Sequence, residues 1–127
     1  MFDHDAEVLA AFAEESSVRI ASLEAGLLKL ESDPSCASAE LLNAVFRDAH
    51  SVKAGANLLG LRPVETAAHR LENVLDKLRA GRLAPGPDVC QALLDGVDLL
   101  REILDNPAAQ RTLDADPRLA ALTSLAG

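Results

Sequence analysis

All six prolines of this 127-residue chain fall between leucine-rich periodic stretches, and none interrupts one. Proline lacks the amide that a helix interior needs, and its ring collides with the preceding turn, so prolines placed this way mark boundaries. The stretches between them carry apolar residues at three- and four-residue spacing, as one-sided helices do. The pattern predicts helices over roughly 5–31, 39–59, 63–80, 87–106 and 117–126. The first carries Leu9, Phe12, Ile20, Leu23, Leu27 and Leu30, with Ser16 as the weak point of its stripe. Ser38 is placed to cap the second, which stops near Gly60. Pro63 opens the third at a position that tolerates its missing amide, and "KLRAG" ends it with cations and a glycine. Asp116 caps the last helix, with Pro117 next. Four long helices with short connections imply an all-α, antiparallel up-and-down four-helix bundle, covered by a short fifth C-terminal helix. The length suits one domain, 1–127.

Hydrophobic residues make up 49% and aromatic ones only 2%, so the core must be aliphatic, which favours helices over a β-sandwich. A net charge of −8 argues against nucleic-acid partners and against an anionic membrane surface, both of which attract cationic clusters. No apolar run approaches the ~18 residues of a membrane span, and the acidic start "MFDHDAEVLAAF" is unlike a secretory signal. Cys36 and Cys90 form no metal-binding pattern and read as reduced thiols of a cytoplasmic protein. The expected partners are other proteins, and the isolated domain is expected to be a monomer. His4 reads as a solvated terminal residue.

The chemistry concentrates in "AHSVKAGANLLG", 49–60. On a helical projection His50 lies about 130° from the centre of its apolar stripe, so it faces outward. Asn43, Phe46, Arg47, Lys53, Ala54 and Asn57 share that face, with Leu58 further round. On the next helix Glu65, His69, Glu72 and Asp76 fall within an arc of roughly 60° beside the apolar stripe. Folding the hairpin about Leu61 sets His50 level with Glu72, and Lys53 level with His69. An imidazole with one nitrogen held by a carboxylate is fixed in one tautomer, and its other nitrogen becomes a better nucleophile. A nearby ammonium would steady an arriving phosphoryl group. Small residues beyond the histidine leave room for another protein to close over it. This is an acceptor site for phosphate, with neither a nucleotide site nor a general base for hydrolysis legible beside it.

"LLNAVFRDAHSVKAGANLLGL" and "ETAAHRLENVLDKLRAG" resemble the two central helices of the histidine-containing phosphotransfer (Hpt) family, closest to the amino-terminal domain of chemotaxis histidine kinases. The resemblance implies that His50 is the phosphorylated residue and that Glu72 holds its Nδ1, leaving Nε2 to react. It implies supporting roles for Lys53 and His69, and small family positions at Gly55 and Gly60. Ala54 departs from the pattern, standing where the family usually has glycine. The implied partners are a histidine kinase catalytic domain and a response-regulator receiver, docking around Arg47, Ala54, Gly55, Asn57 and Leu58. The domain would then be a phosphocarrier without a cofactor or metal, and not itself an enzyme. Any kinase parts would lie beyond Gly127. Two rivals remain from the residues alone: a di-metal bundle, disfavoured because the His–Glu pairs lie off the core stripe, and a non-catalytic helical adaptor.

Overall fold

In the computed structural model, which describes residues 5–127, each helix begins where a side chain or a proline relieves the unpaired amides of its first turn. Asp5 accepts from the Glu7 amide at 2.9 Å and starts α1 (Ala6–Ser32). Ser38 accepts from the Leu41 amide at 3.1 Å and starts α2 (Ala39–Leu59). Prolines sit in the first turns of α3 (Arg62–Arg79), α4 (Pro87–Leu104) and α5 (Pro117–Ala126), and Asp116 also caps α5 through the Arg118 amide. The expected fourth helix is two residues shorter than its pattern, ending at Leu104. His4 lies outside the described residues.

The first four helices close into a ring: α1 packs on α2 and α4, and α3 packs on the same two. Neighbours run antiparallel. Phe12 faces Gly55 and Arg19 pairs with Asp48 between α1 and α2, while Glu24 grips Arg101 between α1 and α4 with two bonds of 2.7 and 2.9 Å. The interior is aliphatic, with Leu23, Leu27, Leu71, Leu75, Leu93 and Leu100 fully covered. Ser16 is buried along with the stripe it was expected to weaken.

The fifth helix lies across α3 and α4 and widens the buried face of each. Ala67 and Val74 of α3 and Leu99 and Ile103 of α4 are buried as well. A Cβ on Gly96 would stand 2.8 Å from Leu122 and 2.9 Å from Leu71, so its lack of a side chain lets α5 settle against the ring.

Between α2 and α3 the chain turns on Gly60, which adopts φ 69° and ψ 28°. The Leu61 amide bonds back to the Ala56 carbonyl and the Gly60 amide to Asn57, while the Leu61 side chain is buried. No atom lies within 4 Å of where a Cβ on Gly60 would sit, so Gly60→Ala meets only the left-handed backbone penalty. We expect it to cost about 1–2 kcal/mol, seen as a lower urea midpoint with an unchanged slope. No helix among the described residues is long and apolar enough to cross a membrane.

Candidate functional site

The Gly60–Leu61 turn fixes how α2 and α3 face each other, and three cross-helix bonds record the register. Asn57 donates to Glu65, His50 Nδ1 lies 2.5 Å from Glu72 Oε2, and Arg79 Nη1 lies 3.5 Å from Asn43 Oδ1. Both members of each pair are equally far from Leu61, and successive pairs are seven residues apart on each helix. Seven residues is close to two turns, so all three bonds line one edge of the helix pair. His50 and Glu72 therefore meet at the level expected from the sequence.

Glu72 is buried, with 8% of its surface exposed, whereas the His50 side chain is 54% exposed. Burial opposes the Glu72 charge, but hydrogen bonds from Lys53 and His50 outweigh it and hold the carboxyl below its ordinary value. An ionised carboxylate only accepts, so the proton of the contact belongs to His50 Nδ1. In the neutral ring the lone pair is then on Nε2, which has no hydrogen-bond partner among the described residues.

Lys53 departs from its expected place. Its ammonium donates to Glu72 Oε1 at 2.7 Å rather than meeting His69. Lys53 and His50 are three residues apart on one face of α2, so both side chains converge on the one buried carboxylate between the helices. His69 is exposed one turn away, and its side chain makes no hydrogen bond or ion pair among the described residues. Level position on neighbouring helices did not bring this second pair together, because a lysine is long enough to reach a turn along and a charged acceptor was there.

Arg47, Ala54, Asn57 and Leu58 are exposed around His50, and Leu58 keeps 77% of its surface open. Gly55 is different: it is half-buried and turned to α1, where a Cβ would stand 3.0 Å from the Phe12 ring. Its small size serves the packing of α1 on α2. Two features went unread in the sequence. Asp48 is buried in α2 with Arg19 of α1 at 3.6 Å, and Phe46 stacks on His50. An acidic residue next to Ala49 in the apolar stripe was the available signal for the first. Cys36 and Cys90 are both free, and no group of three or more His, Cys, Asp or Glu among the described residues could hold a metal ion.

An antiparallel helical bundle that displays one imidazole, its Nδ1 held by a buried carboxylate and its Nε2 open, has the form of a histidine phosphotransfer domain. The chain belongs to the Hpt domain family, whose model matches residues 7–103. It is 40% identical over 100 residues to chemotaxis protein CheA of Rhizobium meliloti (strain 1021), covering 76% of this chain and 12% of that protein. CheA of Salmonella typhimurium (strain LT2) is 37% identical over 94 residues, covering 74% and 14% respectively. The chain thus spans about one eighth of the length of these relatives. Among solved structures it resembles the phosphorylated P1 domain of CheA3 in complex with CheY6 from R. sphaeroides, with a TM-score of 0.84 at 26% identity. That match covers 94% of this chain and 95% of the other. The CheA phosphotransferase domain from Thermotoga maritima matches with a TM-score of 0.73 at 31% identity, over 81% and 96%.

Proposed function

We propose that residues 1–127 form one phosphocarrier domain in which His50 Nε2 takes a phosphoryl group from a histidine kinase catalytic domain. The phosphate then passes to an aspartate of a receiver domain. The bond from His50 Nδ1 to the buried Glu72 carboxylate carries this reading, because it leaves the Nε2 lone pair free and exposed. As Nε2 attacks the γ-phosphorus of ATP, the N–P bond forms and the bond to the ADP oxygen breaks. The ring becomes positive, and Glu72 stabilises it without a proton having to move. In the second step an aspartate oxygen attacks phosphorus, and the N–P electron pair returns to Nε2. Lys53 steadies Glu72 from its other oxygen. His69, exposed on α3 one turn before Glu72, would be free to meet an arriving phosphoryl group or partner. The partner named with the R. sphaeroides P1 domain, CheY6, supports a receiver as acceptor, and Arg47, Ala54, Asn57 and Leu58 are the face it would cover. The CheA relatives support a kinase domain as donor and a cytoplasmic setting. Incubation with a CheA catalytic domain and labelled ATP should place acid-labile, alkali-stable phosphate on the peptide containing His50. Label elsewhere, or none, refutes the assignment.

A further inference from the structure

The Glu72 bond fixes one atom of the His50 ring but not its plane. The plane has its own support. Phe46, one turn earlier on α2, lies nearly parallel to the imidazole, 14° apart in tilt and 6.0 Å between centroids. Over the Phe46 ring, 3.8 Å from its centroid, sits the guanidinium of Arg79 from the end of α3. Arg79 is itself tied down, donating to Asp76 at 2.7 Å and to Asn43 at 3.5 Å. A flat cation on an aromatic face limits how that ring turns, and the ring limits how the next one turns.

Resting on the assignment of His50 as the phosphate acceptor, we propose that Phe46 and Arg79 are positioning residues for phosphoryl transfer. Arg79 holds Phe46, Phe46 holds the imidazole plane, and Glu72 holds Nδ1, so that Nε2 has one aim. Aim matters when a second protein presents a phosphoryl group from a fixed direction. It matters little to a small donor that diffuses in from anywhere.

That contrast supplies the test, made on the 127-residue chain with two donors: Rhizobium meliloti CheA catalytic domain with ATP, and phosphoramidate. Phe46→Leu keeps apolar bulk without a flat ring, and Arg79→Met keeps length without the cation. Each should lower kcat with the kinase about two- to tenfold, from the worth of an aromatic contact, with KM and the phosphoramidate rate unchanged. Phe46→Tyr should restore kcat. Arg79→Met should add nothing in a Phe46→Leu background, because Arg79 acts through the ring. Wild-type kcat in both single variants overturns the proposal. So does a change confined to KM, which would make Phe46 a docking residue, or an Arg79→Met effect that persists without the ring. A parallel fall in the phosphoramidate rate also overturns it, since that reports altered nucleophilicity. His50→Gln is the separate control: if it labels like the native chain, the acceptor assignment has failed rather than the positioning one.

Discussion

We expect His50→Gln to take up no phosphate from kinase and ATP, while its helical circular dichroism and melting temperature stay close to those of the native chain. The first half follows from chemistry, since a glutamine amide nitrogen has no basic lone pair with which to attack phosphorus. The second half follows from position. The His50 side chain is more than half exposed and lies outside the aliphatic interior. Glutamine can still donate an amide proton toward Glu72, so the buried carboxylate is not stranded. Phosphate on the variant at the native level would remove His50 from the mechanism.

Glu72→Ala should slow phosphate uptake by about 10- to 100-fold, the range seen when the carboxylate behind a metal-binding histidine is removed. It should slow the reaction with phosphoramidate as well as with the kinase, because it changes the ring's nucleophilicity and not only its aim. The cost in stability should be modest, since Lys53 is a quarter exposed and can return its ammonium to water. Unaltered kinetics would mean that Glu72 holds the ring without activating it.

The same carboxyl has a pH signature. Its native value lies below the ordinary 4.5: burial acts to raise it, and the bonds from Lys53 and His50 overcome that. A carboxyl depressed on folding stabilises the native state in full above its unfolded value, and the contribution fades as pH falls through the native value. Glu24, Glu102 and Asp116 are also depressed, by Arg101 for the first and Arg118 for the others, so acid weakens the whole molecule. The part due to Glu72 appears as a difference. The gap in unfolding free energy between the native chain and Glu72→Gln should be constant above about pH 4.5 and narrow below it, as read by urea titration. A gap that stays constant into acid would show that the Glu72 charge adds nothing to folding.

Much of this was set by local rules that act along the chain. Prolines and caps work within a turn, so Ser38, Gly60, Pro63 and Asp116 marked helix ends without reference to any other helix. Heights along a hairpin follow from rise per residue and one turn, so His50 and Glu72 could be paired by counting from Leu61. Counting cannot choose among side chains at similar heights. That choice depends on length, burial and charge in three dimensions, and it sent Lys53 to Glu72 instead of His69. Burial by a distant segment is equally invisible along the chain. Only the docking of α5 explains the small residue at Gly96, and only α1 against α2 explains the small residue at Gly55 and the ion pair that buries Asp48. The sequence determined the helices, their order and the level at which the histidine meets its carboxylate. The tertiary structure decided which groups share that carboxylate and which ring lies against the imidazole, because those contacts exist only once separate helices are packed.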